Sequence, residues 1–300
     1  MAHARLCRRP RRRSESGMPP RTAPTARQQR IGAELRRMRE QAGLNVAEAG
    51  RLISADRSRI SNIEAGRLGV SAERIRTFAG LYACSDGDFV ETLVRMAEER
   101  HKGWWEQFRG ILATSMLDLA ELEYHAASLT VMQFAYIPGL LQTEEYAASL
   151  FRNTVPPLSS VEVERRVSHR MSRKCVMQRD PATPCTFVIH EAALRMIHPG
   201  KEGQLRQLER LLEMSTHDGL TLHVIPFSHG SFPGANSSCT YAAGPVPRLD
   251  TVQIDTAHGS LFLDTDSHLE NYRCILRHAK KTALSPRASR DFIRSVANQL

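Results

Sequence analysis

Apolar residues recur every three or four positions through the first third of the chain, then give way to short alternating runs. Ile31, Leu35 and Met38 predict a helix from about Gln29 to Ala42, with Arg36, Arg37 and Arg39 facing outward and Gly43 ending it. Asn45, followed three residues later by Glu48, predicts a capped second helix with Ala49, Leu52 and Ile53 on one face. Ile60 and Ile63 mark a short third helix that Gly66 closes, because glycine takes the left-handed conformation common just past a helix end. Ser71 caps a fourth helix through Leu81, burying Ile75, Phe78 and Leu81. Asp86 opens a fifth to about His101, packing Phe89, Leu93 and Met96.

The pattern changes at Gly103. Trp104 and Trp105 are adjacent and point different ways on a helix, so at least one is expected to pack at a domain junction. Beyond them, alternation predicts strands at Ser128–Ile137, Thr186–His190, Leu220–Pro226, Ser238–Ala243, Thr251–Asp255 and Ser260–Leu263. Helical stretches separate them: Leu140–Asn153, a basic amphipathic helix from Val161 to about Gln178 capped by Ser160, the turn Glu191–Met196, and Glu202–Ser215 with Leu205, Leu208, Leu211 and Leu212 inward. Asp264–Ala283 and a last helix capped by Ser285-Pro286 complete the chain. The expected fold is an all-α N-terminal helix-turn-helix domain of five short helices, then an α+β C-terminal domain with a mostly antiparallel sheet. The expected division is a disordered basic tail over 1–27, the helical domain over 28–102 and the α+β domain over 103–300.

The second and third helices carry the candidate chemistry. With Ile60 and Ile63 inward, Arg57, Ser58, Arg59, Ser61 and Asn62 are left to point outward. Such a face suits a DNA major groove: Arg bonds guanine through two atoms, Asn does so with adenine, and Ser serves either. Asn45 at the first helix start joins the set, and Arg59, Arg67 and Arg36 are expected to hold phosphates, which fix register without specifying sequence.

The run Ile60-Ser61-Asn62-Ile63-Glu64-Ala65-Gly66, preceded by Gly43-Leu44-Asn45, resembles the helix-turn-helix of the phage-repressor (Xre) family. Two positions depart from that pattern. Val46 stands where the family has a DNA-contacting Gln, which shifts recognition onto Arg57 and Arg59, and Ser54 replaces the turn glycine at a cost of about 1 kcal/mol. Farther on, Ile137-Pro138-Gly139-Leu140-Leu141-Gln142-Thr143 resembles the Val-Pro-Gly-Leu-Leu-Gln-Thr signature in actinobacterial Xre-type regulators of the WhiJ kind. So do Glu164-Arg165-Arg166-Val167, Glu191-Ala192-Ala193-Leu194, Val224-Ile225-Pro226-Phe227 and Leu284-Ser285-Pro286. The resemblance implies a cytoplasmic transcription factor that binds double-stranded DNA as a homodimer and pairs with a small protein encoded nearby. Two readings follow from it: a regulator whose C-terminal domain senses a ligand or binds a partner, or an antitoxin-like interaction module with autoregulatory DNA binding.

The net charge of +9 adds less than it suggests. Residues 1–30 hold nine arginines against Glu15, so the rest of the chain is nearly neutral. A basic tail binds phosphates without reading sequence. Met18 begins a stretch, Met-Pro-Pro-Arg-Thr-Ala-Pro, that resembles the natural opening of relatives, and is expected to be the true start. No apolar run approaches the length of a membrane span. Cys7, Cys84, Cys175, Cys185, Cys239 and Cys274 lack metal-ligand spacing and are too sparse for a disulfide scaffold, so reduced thiols are expected.

Enzymatic and metal constellations find no support. His190-Glu191-Ala192-Ala193-Leu194 opens like a zinc-protease motif, but Leu194 stands where the second ligand must be. His217, His223 and His229 recur at intervals that a strand would not bring together, and Asp264 and Asp266 read as helix caps. No cofactor is expected. The Pro138–Gln142 turn and the Gly230–Ser237 loop are candidates to flank a small-molecule cleft, and the basic helix around Arg165, Arg166, Arg170, Arg173 and Lys174 reads either as an acidic-partner surface or as a solvated face.

Overall fold

The computed structural model describes residues 24–99, 103–232, 234, 238–256 and 259–300. The expected tail lies outside the described residues as far as residue 23. Thr25 already caps the first helix with a reciprocal capping box to Gln28, so α1 (Ala26–Gln41) starts three residues before the expected Gln29. α2 (Val46–Leu52), α3 (Arg57–Glu64), α4 (Ala72–Leu81) and α5 (Gly87–Glu98) follow, starting from the expected caps Asn45, Ser71 and Asp86 and, for α3, from Asp56.

Ile31, Leu35, Met38, Ala49, Ile60, Ile63, Ile75, Phe78, Phe89 and Leu93 form one buried core. Leu52 and Leu81 do not join it. Both sit in the last turn of their helices and are exposed, because the chain turns away there before a neighbouring helix covers them. Arg39 is not outward either: it is buried and forks onto Glu64 with Nε–Oε1 at 2.6 Å and Nη2–Oε2 at 2.9 Å.

A 3-10 turn at Trp104–Phe108 buries Trp105, which packs edge-on to Tyr124 and beside Leu117 and Ala120 of α6 (Thr114–His125). The sequence reading did not anticipate α6. Then come β1 (Ser128–Gln133), α7 (Glu144–Arg152), α8 (Ser160–Ser172), α9 (Cys175–Gln178), β2 (Cys185–His190), α10 (Glu191–Arg195), α11 (Gly200–Met214) and β3 (Leu220–Ile225). β4 (Cys239–Ala243), β5 (Thr251–Thr256), β6 (Gly259–Leu263), α12 (Asp266–Thr282) and α13 (Pro286–Ala297) end the chain.

The described strands form one mixed sheet ordered β3-β2-β1-β4-β5-β6. β1–β2 and β2–β3 are parallel, and the three remaining pairings are antiparallel. The parallel pairs follow from the helical crossovers between those strands, since parallel neighbours need long connections. Strand alternation sorts the side chains. Leu129, Val131, Phe187, Ile189, Val224 and Ala242 face Tyr146, Leu208, Leu211, Ile293 and Val296, while Met132, Val188, Ile225, Tyr241 and Val252 face Leu269, Leu276 and Ala279 of α12. Leu205 of α11 is exposed rather than inward, one turn away from the buried Leu208 and Leu211 stripe. Cys84, Cys175, Cys185, Cys239 and Cys274 are free thiols, and Cys7 lies outside the described residues.

The two parts interlock. Leu249, from the β4–β5 connection, belongs to the helical core, and the Arg248 guanidinium lies 4.0 Å from the centre of the Phe89 ring. Arg30 of α1 reaches back to the carbonyls of Arg248 at 2.6 Å and Asp250 at 3.0 Å. Arg37, expected outside, bonds Glu34 and Asp264, the latter at 2.6 Å. Asp264 is therefore an ion-pair partner of α1 and not the cap of α12, whose N-cap is Thr265.

Candidate nucleic-acid interface

The helix-turn-helix is built from local sequence rules. The Asn45 carboxamide oxygen accepts from the amides of Ala47 and Glu48, and Glu48 returns a bond from the Asn45 amide at 2.7 Å. At the turn, Ser54 adopts φ +53°, the strained position its place in the motif requires. Asp56 then caps α3 by accepting from the Arg59 amide at 2.6 Å. The sequence reading missed Asp56; its signal is an Asp directly before the helix and three residues ahead of the bonded amide.

Close approach fixes α3 from behind. A Cβ at Gly50 would lie 2.6 Å from the Ala55 carbonyl, and one at Gly32 of α1 would lie 2.5 Å from the Glu64 carbonyl. Ile60 and Ile63 are buried, and the Arg39–Glu64 fork ties the end of α3 to α1. Gly66, at φ +69°, closes α3, and the amides of Arg67 and Leu68 both return to the Asn62 carbonyl.

This leaves one face outward. Arg57, Ser58, Arg59 and Ser61 are exposed, Asn62 is half-buried, and Arg67 is exposed just past the helix. Among the described residues, no side-chain hydrogen bond or ion pair occupies Arg57, Arg59, Ser61, Asn62 or Arg67. Three of the expected residues are engaged. The Ser58 hydroxyl donates to Asp56 at 2.8 Å, and together with the Arg59 amide it holds that carboxyl below the usual range. The Asn45 oxygen is spent on capping, and Arg36 bonds Glu40 at 2.7 Å on the exposed face of α1. Arg51, exposed at the end of α2, is a further guanidinium that sequence reading passed over.

The other sequence candidates fall elsewhere. The basic helix is split into α8 and α9, capped by Ser159 rather than Ser160, and its charge is mostly internal. Arg173 is buried and forks onto Glu123 of α6, Arg170 bonds Gln142, and Lys174 bonds the Gln142 carbonyl at 2.5 Å. Arg165 is exposed and Arg166 half-exposed, so the run does not form a continuous solvated face. Pro138, Gly139, Leu140 and Gln142 line a half-open cavity. Of the Gly230–Ser237 loop, residues 233 and 235–237 lie outside the described residues, and its described residues do not line that cavity. His190 caps α10, Glu191 pairs with Arg195, and the His223 ring meets the Leu284 carbonyl. Among the described residues, no three His, Cys, Asp or Glu gather as a metal site.

Comparison with known families gives two matches. A model described as a helix-turn-helix domain matches residues 30–93, and one described as a domain of unknown function (DUF5753) matches residues 116–295. No curated protein and no solved structure matches the chain.

Proposed function

The chain belongs to the family defined by the domain of unknown function DUF5753 and carries the helix-turn-helix domain of a DNA-binding regulator ahead of it, and we propose that it is a sequence-specific transcriptional regulator of the Xre type. The observation that supports this is the α3 face: unpaired Arg57, Arg59, Ser61 and Asn62 on a short helix held from behind by Gly32, Ile60, Ile63 and the Arg39–Glu64 pair. A rigid helix whose donors have no internal partner loses little on meeting base edges, since nothing must first be broken or ordered.

In this reading α3 lies in the major groove, Arg57 and Asn62 read bases with Ser61 beside them, and Arg59 and Arg67 hold phosphates. Arg51 joins the phosphate set. Ser58, Asn45 and Arg36 act through their caps and pairs before they meet DNA. The protein works as a homodimer on two half-sites about one turn apart, as helix-turn-helix proteins do. The C-terminal domain is the sensing part, and the half-open cavity beside Pro138–Gln142 supports sensing over a purely protein-holding role. No described helix is long and apolar enough to cross a membrane.

Binding of the full chain to its own promoter-proximal DNA, against random DNA and across a salt series, tests the proposal. Asn62→Ala is expected to weaken the specific complex by about 1–3 kcal/mol and relax one base position. Arg67→Ala is expected to weaken all sequences alike and lower the salt slope by about 1. Equal losses for Asn62→Ala on specific and random DNA would remove it from base reading. A small protein from a neighbouring gene that co-purifies and displaces DNA would favour the antitoxin-like alternative.

A further inference from the structure

On the sheet face that carries Val131, Phe187 and Thr240, helices α6, α7 and α8 and the segment 136–142 line a half-open cavity of about 440 Å³. That is a volume suited to a small molecule. Its chemistry is uneven. Arg170 of α8 and Arg173 at its C-terminal end both reach it, yet only Arg173 is hydrogen-bonded to a carboxylate. Arg173 makes a two-pronged bond to Glu123, at 2.7 and 2.6 Å. Arg170 has no carboxylate: Nη1 donates to the Gln142 carboxamide at 2.7 Å, the guanidinium lies 5.0 Å from the centre of the Phe151 ring, and Nε is buried with no partner.

A part-buried cation whose idle N–H is itself shut away from water is unfavourable unless something answers it. Desolvation, with the Arg173 charge beside it, pushes the Arg170 pKa down to about 9. The surrounding residues hold the group in place. Gln142 anchors itself to the Ile137 carbonyl at 2.7 Å and presents its oxygen to Arg170. Gly139 leaves space: a Cβ there would lie 3.1 Å from Nη1 of Arg170 and 3.3 Å from Nη1 of Arg173. On the opposite wall, Gln253 and Ser260 both bond Asp255, whose carboxylate is exposed.

We propose that this cavity binds a small organic carboxylate, its anionic head on Arg170 and its body over Phe151 and the sheet. Arg170 has no carboxylate in hydrogen-bond contact, its nearest help being the longer-range charges of Glu123 and Asp255, and a guanidinium fork suits the planar geometry of a carboxylate. The proposal rests on reading the C-terminal domain as the sensing part. It gives the Pro138-Gly139-Leu140-Leu141-Gln142 run a job: it forms the wall that orients the cation.

The test is ligand-observed NMR on the full-length protein with a library of small carboxylic acids, each paired with its primary amide and its phosphonate. Acids are expected to bind, to compete with one another, and to outbind their amides by at least tenfold. Arg170→Gln is expected to weaken them at least tenfold without lowering the melting temperature. Gly139→Val, which keeps the charge and fills the space beside it, should exclude them as well. Three results overturn the proposal: no acid binding at millimolar concentration, equal binding of acids and amides, or affinity unchanged in both variants. Phosphonates outbinding acids would also overturn it. Operator binding measured on the same samples separates the two claims, since specific DNA binding without any acid bound sinks the cavity proposal alone.

Discussion

His169 cannot easily take a second proton where it sits. It is 1% exposed, with the Trp104 and Phe108 rings both centred 5.2 Å away, and neither ring nitrogen has a hydrogen-bond partner. Burial first, then the Arg173 and Arg170 charges, push its pKa down to about 3, against about 6.5 in an unfolded chain. The folded state therefore keeps it neutral. Below pH 6.5 the unfolded chain binds a proton that the folded one refuses, so this residue costs stability progressively as pH falls towards 3. At pH 5 the cost from this residue reaches about 2 kcal/mol. His125, pushed down to about 4 chiefly by burial, acts in the same direction. His169→Phe keeps a ring in the same nest and removes both the titration and the orphaned nitrogens. Urea unfolding is expected to show a gain of about 1–2 kcal/mol at pH 5 and a shallower slope between pH 7 and 5. A slope equal to wild type would mean that His169 takes its proton in the folded state.

At the scale of elements, the rigidity of α3 is the property to perturb. Gly32→Ala places a methyl within 2.6 Å of the Ile63 and Glu64 carbonyls, so α1 must move off the end of α3. Overpacking of this kind is expected to cost about 1–3 kcal/mol in urea unfolding and to weaken operator binding with it. Ser54→Gly works the other way: it relieves the positive φ at the turn and is expected to add about 0.5–1 kcal/mol, with operator binding unchanged. A loss of stability there would show that Ser54 is unstrained. These positions also mark what was legible in the sequence. Caps and turns are written locally, so Asn45 with Glu48, Ser54, Gly66, Ser71, Asp86 and Ser285 all stand where the residue pattern put them, and the strands follow from alternation. What lay hidden depends on distant partners. Arg39 reads as an outward charge until Glu64, folded back from α3, is found beside it. α6 was missed because Asp118, Glu121 and Glu123 interrupt its apolar stripe, although Glu123 is buried against Arg173 of α8. The basic run of α8 reads as a solvated face or an acidic-partner surface for the same reason. Its partners Glu123 and Gln142 lie on other elements, and the sequence gives no hint that a cavity separates them.

At the scale of the whole molecule, a continuous set of contacts runs from the cavity to the α3 face. The β5–β6 hairpin brings Gln253, Asp255 and Ser260 to the cavity, and directly after β6 Asp264 meets Arg37 and Arg30 of α1. α1 in turn holds α3 through Gly32 and the Arg39–Glu64 pair. The joint between the halves is therefore electrostatic at its centre: Glu34, fully buried, faces Arg30, Arg37 and Arg248, and burial still raises its pKa against all three charges. Arg30 carries the most bonds of this joint among the described residues: it donates to the Arg248 and Asp250 carbonyls and the Thr251 hydroxyl while pairing with Glu34. Arg30→Met keeps the side-chain stem and removes all of these bonds, leaving buried acceptors without a donor. The expected cost is about 3 kcal/mol, and it should fall on the joint more than on either core. Calorimetry is expected to show one unfolding transition for the native chain and two for the variant, the helical half melting first, because its core is the smaller and borrows Leu249 from its neighbour. A single transition that only shifts to lower temperature would mean that the Leu249 insertion and the Arg248–Phe89 stack suffice to keep the halves cooperative, and that the charges at the joint serve solvation more than coupling.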